Sequence, residues 1–156
     1  MAEPVGYMEK SRLFYEAQGF ERAYQWATFE DVPFAGMKKP LSESRLGIIT
    51  TAPTYDRQSS DNRAVDSGST IDPPARLYGN DLSWDKKATH MDDRESYFPI
   101  AHLQAAVESG VIGSLSPRFY CAPTSYSQRE TNEEDGPEIL RMCQEDQVDI
   151  ALLIPL

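Results

Sequence analysis

The densest group of chemically capable side chains is His90-Met91-Asp92-Asp93, which sets an imidazole beside two carboxylates. Such a pair can act as an oriented general base or contribute ligands to a metal ion. No third ligand stands nearby, and the run Asp92-Asp93-Arg94-Glu95 is also typical of a solvated turn. Two interpretations therefore stay open: His90 and Asp92 as site residues, or an exposed polar turn.

The two cysteines, Cys121 and Cys143, have the spacing of neither a disulfide framework nor a zinc motif. Cys143 falls on the apolar side of a predicted helix, which favours a small core residue. Cys121 ends a predicted extended segment, so it is a candidate site residue. Thr50 and Thr51 end another predicted strand. Their hydroxyls can meet a substrate carboxylate, or they can simply favour β structure.

Strand and helix patterns alternate along the chain, which predicts an α/β fold with a mostly parallel sheet, flanking helices and βαβ units. The stretch 148–156 is aliphatic without polar alternation, so we expect a strand covered on both faces. Binding sites in such sheets lie beyond the carboxyl ends of the strands. The predicted strands cover 45–51, 118–121 and 148–156; the predicted helices cover 7–18, 20–28, 99–110 and 133–146.

The length of 156 residues favours one α/β domain with a sizeable core. Residues 1–40 are rich in aromatic side chains and are expected to form a helical N-terminal extension. Residues 53–83 carry few large apolar side chains, which predicts a long irregular loop.

The formal net charge of −10 disfavours nucleic acid and anionic membrane surfaces as partners. The sequence lacks a secretory signal pattern and an apolar run of membrane-spanning length, so a cytoplasmic location is expected. It also lacks a glycine-rich phosphate loop, a Gly-x-Ser-x-Gly elbow and a His-Glu-x-x-His pair. Neither a cofactor nor a bound metal is therefore expected.

Three segments of the C-terminal half resemble one family by their order and spacing. They are Asp93-Arg94-Glu95-Ser96-Tyr97-Phe98-Pro99-Ile100, Ser109-Gly110-Val111-Ile112-Gly113-Ser114-Leu115, and Gln147-Val148-Asp149-Ile150-Ala151-Leu152-Leu153-Ile154-Pro155. Together they resemble the selenoprotein B family, the substrate-specific subunits of glycine, sarcosine, betaine and D-proline reductases. The resemblance covers about 93–155, and more loosely 46–51 and 90–92.

In that family the reductive centre is a selenocysteine or cysteine, two residues before a second cysteine, directly after the final strand. This chain stops before such a pair, and neither Cys121 nor Cys143 matches it. The resemblance thus implies the N-terminal portion of a reductase-like protein acting on an amine or amino-acid substrate. It would be completed by a C-terminal segment or other reductase subunits. No catalytic residue is assigned; the candidate substrate-binding residues are Thr50, Thr51, His90, Asp92 and Cys121.

Whether the isolated chain is an enzyme stays open, and a second class of function competes with the oxidoreductase hypothesis. An apolar terminal strand needs covering, which suits a non-catalytic binding or assembly module or a homo-oligomer. A metal-dependent hydrolase using His90 and Asp92 ranks below both.

Overall fold

The computed structural model describes residues 6–20, 27–32, 35–58, 63–79, 90–125 and 127–156, and the chain divides into two compact units, Met1–Phe34 and Ala35–Leu156. The first unit contains helix α1, Tyr7–Ala17, which confirms the predicted helix over 7–18. None of its residues is buried, and Tyr15 makes edge-on ring contacts with Phe14 and Phe20. Most of the predicted helix over 20–28 lies outside the described residues.

The second unit combines helices with a five-stranded mixed sheet, which confirms an α/β fold with a mostly parallel sheet. Its strands are β1 (Arg45–Thr50), β2 (Asp66–Ser69), β3 (Ser114–Leu115), β4 (Arg118–Cys121) and β5 (Ile150–Ile154). Its helices are α2 (Ile100–Glu108), α3 (Gln128–Glu130) and α4 (Gly136–Glu145), with a π-helical turn Thr131–Asp135 joining the last two. Short 3-10 turns occur at Leu41–Glu43 and Arg94–Ser96.

Strand β1 is the centre of the sheet. On one side it pairs in parallel with β5, from Leu46 opposite Ile150 to Thr50 opposite Ile154. On the other side it pairs in parallel with β3 near its start and with β4 near its end. Strand β2 is antiparallel and adds to β4. The carboxyl ends of β1, β4 and β5 consequently lie at one edge of the sheet.

Two core clusters lie on opposite faces of the sheet, because successive strand residues alternate between faces. Phe119 and Cys121 of β4 pack in the cluster that contains Ile100 of α2. Tyr120, between them, packs with Ile139, Met142 and Cys143 of α4. The expectation that Cys143 is a core residue is therefore confirmed, and α2 and α4 cover different faces.

The predicted irregular loop over 53–83 contains a strand that the sequence did not indicate. Strand β2 has the composition Asp-Ser-Gly-Ser, which lacks the β-branched and aromatic residues typical of strands. It forms because β4 offers a free edge. Gly68 is required there, since a Cβ at this position would lie 2.5 Å from Cζ of Phe119. Residues 59–62 and 80–83 of the predicted loop lie outside the described part of the chain.

The helix predicted over 133–146 is confirmed as α4, Gly136–Glu145, and the helical path leading into it starts further upstream, with α3 at Gln128. The cap of α3 is Ser127, whose side chain accepts a hydrogen bond from the Glu130 amide. The π-helical turn precedes Pro137, which has no N–H to donate and whose ring excludes the carbonyl four residues earlier.

The expectation that the last strand is covered on both faces is wrong. Residues of β5 alternate between half-buried and exposed, and Leu153 is 66% exposed. The reason is that the face bearing Ala151 and Leu153 is left open beside α4. None of the helices in the described part of the chain has the length and apolar character that a bilayer crossing requires.

Candidate functional site at the carboxyl edge of the sheet

The carboxyl edge brings together two of the predicted site residues. Thr50 and Cys121 are register partners on β1 and β4, and the Ala122 amide donates a 2.8 Å hydrogen bond to the Thr50 carbonyl. Asp66 of β2 lies opposite Cys121 on its other side. The edge thus holds a hydroxyl, a thiol and a carboxylate on three adjacent strands.

The threonine hydroxyls at this edge both accept hydrogen bonds from backbone amides. Thr50 is 1% exposed, and its Oγ1 accepts from the Ala52 amide at 3.2 Å. Thr51 is half-buried, and its Oγ1 accepts from the Leu156 amide at 2.9 Å. This second contact places the residues just after β5 directly against the end of β1.

Cys121 is fully buried at this edge, in the cluster on the α2 face. Burial raises the pKa of its thiol well above the usual range, the charge of Asp66 adds to that, and the charge of Arg57 opposes it. Burial likewise raises the pKa of the Cys143 thiol. Both sulfurs are therefore protonated at neutral pH, whereas nucleophilic attack and metal ligation need the thiolate.

His90 and Asp92 lie in the segment before the Arg94–Ser96 turn and are exposed. The side chains are 69% and 90% exposed, with the His90 Nδ1 and Asp92 Oδ2 atoms 3.4 Å apart. Within the described residues, no hydrogen bond or ion pair joins either of them to Thr50, Thr51 or Cys121. Nor does that part of the chain hold a group of three or more His, Cys, Asp or Glu side chains suited to a metal ion.

Neighbouring residues of the same motif stabilise the start of α2. The Asp93 carboxylate accepts from the Glu95 amide at 3.2 Å, and Glu95 Oε2 accepts from the Ala101 amide at 2.9 Å. Arg94 donates to the Pro74 carbonyl at 2.9 Å and pairs with Glu95. These charged side chains cap a helix and attach it to the preceding loop.

Arg57 is a charged residue of this edge that the sequence did not indicate. It follows β1, is half-buried, and donates from one terminal nitrogen to the Ala64 carbonyl at 3.3 Å. Within the described residues its Nε is buried and has no hydrogen-bond partner. The guanidinium carbon lies 5.6 Å from the centre of the Tyr55 ring. Arg57 belongs to an irregular segment without periodicity, so no pattern in the sequence could have singled it out.

A second polar cluster lies near the opposite, amino edge of the sheet. Asp146, which follows α4, accepts from Arg118 Nε and from the Tyr120 hydroxyl, both at 2.6 Å. Ser116 lies 2.9 Å from the same Tyr120 hydroxyl. The Arg45 side chain donates to the Asp146 carbonyl at 2.7 Å. Groups at the amino edge lie away from the usual site of α/β sheets, which indicates a structural role.

An apolar groove of about 470 Å³ lies between α4 and β5. Its lining includes Ile139, Leu140, Val148, Ala151 and Leu153. Leu140 is 58% exposed and Leu153 is 66% exposed. Among the described strands β5 pairs with β1 alone, so the groove continues into a strand edge without a partner there, and Ile150–Ile154 carry no charged side chain.

The fold and the residues at the carboxyl edge of the sheet place this protein in the α/β class, with a mostly parallel sheet and a candidate site at that edge. No protein-family model, curated protein or solved structure matches this chain.

Proposed function

We propose that this chain is the N-terminal, substrate-side portion of a selenoprotein B-like reductase. The reaction is reductive cleavage of the C–N bond of glycine, sarcosine, betaine, D-proline or a related amine. The observation that carries it is the 2.9 Å contact from the Leu156 amide to Thr51 Oγ1, which sets the end of the motif 147–155 against the carboxyl edge. A reactive group that follows this motif would start beside Thr50, Thr51 and Cys121.

The state of the cysteines supports a redox centre supplied from outside this chain. Both thiols are buried and protonated at neutral pH. In the proposed reaction, a selenolate or thiolate from a C-terminal segment or another subunit attacks the substrate carbon. A C–Se or C–S bond replaces the C–N bond, and the amine leaves with the electron pair of that bond and takes up a proton. The second cysteine of the proposed pair then attacks the selenium or sulfur and forms an Se–S or S–S bond, while the carbon leaves with the electron pair of the broken bond and takes up a proton as C–H. A dithiol reductant restores the oxidised pair.

The order of elements supports a crevice for the substrate. We interpret β1, α2 and β4 as one βαβ unit, because β1 and β4 are parallel neighbours with α2 between them in sequence. We interpret β4, α4 and β5 as a second unit, because both strands are parallel to β1 and α4 lies between them in sequence. The chain after β1 forms β2 beside β4 before it reaches α2, whereas the chain after β4 leads to α4, so the two connections end in helices on opposite faces. Adjacent strands that diverge in this way open a ligand crevice.

The experiment that tests the reductase proposal reads the genomic sequence after the Leu156 codon. We expect codons for a cysteine or selenocysteine, two residues and a second cysteine, in frame or in a co-transcribed gene. A locus with a stop codon and no such neighbouring gene would overturn the proposal. Joining the encoded pair to this chain should then give release of amine from one of the four substrates with a dithiol reductant.

A non-catalytic assembly module is the second candidate, and the open groove between α4 and β5 favours it. Leu140 and Leu153 expose apolar surface beside a free strand edge, which is the kind of surface that another chain covers. Light scattering over a concentration series tests this candidate. We expect association that increases with concentration; a monodisperse monomer throughout would contradict it.

A further inference from the structure

The outer edge of β5 presents backbone groups that bond to no other strand in the described part of the chain. The Asp149 amide, just before β5, donates to the Arg45 carbonyl of β1 at 2.9 Å. Backbone groups alternate in direction along a strand, so the odd-numbered residues of β5 bond to β1. The even-numbered ones, Ile150, Leu152 and Ile154, point to the outer edge. Such an edge is a template for a further strand.

The charges around this edge allow a second copy of the chain to approach, although a net charge of −10 makes two copies repel each other at long range. Ile150–Ile154 carry no charged side chain. Two carboxylates line the groove beside the strand, and each is paired within the chain, Asp149 with Lys39 at 2.7 Å and Asp135 with Arg63. Like charges directly opposite each other destabilise a strand pair. A copy that pairs along β5 meets none.

The residues of β5 are complementary to their own reversal. An antiparallel pair about a two-fold axis at Leu152 sets Ile150 opposite Ile154. Ala151 then lies opposite Leu153. The outward-pointing residues form the hydrogen-bonded pairs, so Ala151 and Leu153 form the non-hydrogen-bonded pairs, whose side chains lie closer together. Both are exposed, and the pairing sets a small side chain against a large one where the spacing is tightest.

Other two-fold registers lose this fit. An axis at Ala151 sets the charged Asp149 opposite the apolar Leu153. An axis at Leu153 sets two leucines together at the close spacing and extends the pairing past Ile154, where the strand ends. The axis at Leu152 pairs the whole strand with itself.

We propose that β5 pairs antiparallel with β5 of a second copy about a two-fold axis at Leu152, which makes one continuous sheet across the dimer. Opposite residues of a strand pair share a face, so the α4 helices and the grooves of both copies lie on the same face of that sheet. This inference rests on the assembly candidate of the proposed function and names its partner and its pairing.

The test is disulfide cross-linking of the complete 156-residue chain in the variants Ala151→Cys and Leu153→Cys, both at exposed positions. In the proposed dimer the Cα atoms of these two positions lie ~4.5 Å apart, within the range that a disulfide spans. The same position in the two copies is a diagonal neighbour at ~7–8 Å, which is too far. An equimolar mixture oxidised with glutathione disulfide should cross-link at least about tenfold faster than either variant alone.

Val111→Cys is the matched control, because it replaces an exposed apolar residue outside the groove. Mixed with Ala151→Cys, it should cross-link no faster than chance collision allows. A variant that cross-links to itself faster than the mixture does would overturn the proposed register.

Light scattering of the same proteins separates the pairing from assembly itself. Association without a preferred mixed disulfide would overturn the β5 pairing and leave the assembly candidate standing. A wild-type monomer at every concentration would overturn both, even if one of the variants does not fold.

Discussion

Asp146 accepts hydrogen bonds from three side chains, those of Arg118, Tyr120 and Ser116. Partial burial opposes its ionisation, but the hydrogen bonds from Arg118 and Tyr120 outweigh burial and lower the pKa of Asp146. Burial, followed by the bond to Asp146, raises the pKa of the Tyr120 hydroxyl well above its usual range. The aspartate is therefore ionised and the tyrosine protonated throughout the neutral range.

The substitution Asp146→Asn should destabilise the protein by roughly 2 kcal/mol at pH 7, because it removes the charge that these donors solvate. A lowered folded-state pKa adds stability above the unfolded pKa of about 4, and this stability is lost as the pH falls through the folded value. The wild type should thus lose part of its advantage over Asp146→Asn below pH ~4. Urea unfolding of both proteins at several pH values measures this difference in the free energy of unfolding. Glu133→Gln, on the exposed Arg129 pair, is the control.

The two thiols should react with Ellman's reagent only as the protein unfolds. Cys121 and Cys143 are buried, and burial is the main cause that raises the pKa of each. Labelling at pH 7 in the native state should therefore be much slower than for free cysteine and should rise along the urea unfolding curve. A rapidly labelled thiol in the native protein would contradict the assignment of the redox centre to residues outside this chain.

For single residues, the sequence predicts a site position best where a chemically capable residue also ends a predicted strand. The adjacency of Thr50 and Cys121 was predictable, because both residues end parallel strands. The buried, protonated state of Cys121 depends on packing by residues distant in sequence. The half-buried position of Arg57 depends on a loop whose Ala64 carbonyl accepts from its guanidinium. Neither property has a signature in local sequence.

The link between α2 and β3 meets the segment that leads into β1. A Cβ on Gly113 would lie 2.7 Å from the Glu43 carbonyl carbon and 2.9 Å from both the amide nitrogen and the carbonyl oxygen of Ser44. The Gly113 amide also donates to the Leu41 carbonyl at 3.0 Å. Backbone therefore approaches backbone here, and only glycine leaves the required space.

Gly113→Ala should destabilise the second unit by about 1–3 kcal/mol, since backbone on both sides must move to admit the methyl group. Thermal unfolding followed by circular dichroism measures the loss. Gly36→Ala is the matched control, because no atom lies within 4 Å of the position that its methyl group would take, and it should unfold like the wild type. Equal melting temperatures for all three proteins would show that the contact is not tight in solution.

Element prediction succeeded where local signals were strong and failed where pairing decided the outcome. Pro99 and Gly110 bound α2, and the β-branched residues of β1 mark that strand. Strand β2 was missed because its pairing with β4 overrides its own composition. The exposure of β5 was misjudged because an aliphatic run does not reveal how many neighbours a strand has.

For the molecule as a whole, the open groove between α4 and β5 should govern solubility. Leu153→Lys should reduce self-association and the binding of a hydrophobic dye, because it places a charge in the groove and beside the free edge. The cost in stability should be small, since Leu153 is 66% exposed. Light scattering and dye fluorescence measure both effects.

The control for this substitution is Val111→Lys, at an apolar residue that is 56% exposed and lies outside the groove. It should leave association and dye binding unchanged. An equal decrease in the two variants would show that added charge, and not loss of the groove, is responsible.

The central place of β1 also fixes an order of events during synthesis. Its first amide bonds to the Asp149 side chain across 104 residues of sequence. At ~5–20 residues per second, Asp149 is synthesised roughly 5–20 seconds after Arg45. Until β3 and β4 are made, this apolar strand has neither of these neighbours, and its β5 side stays unpaired longer still, which is the condition under which nascent chains depend on chaperones. We therefore expect the soluble yield to rise when chaperones are co-expressed.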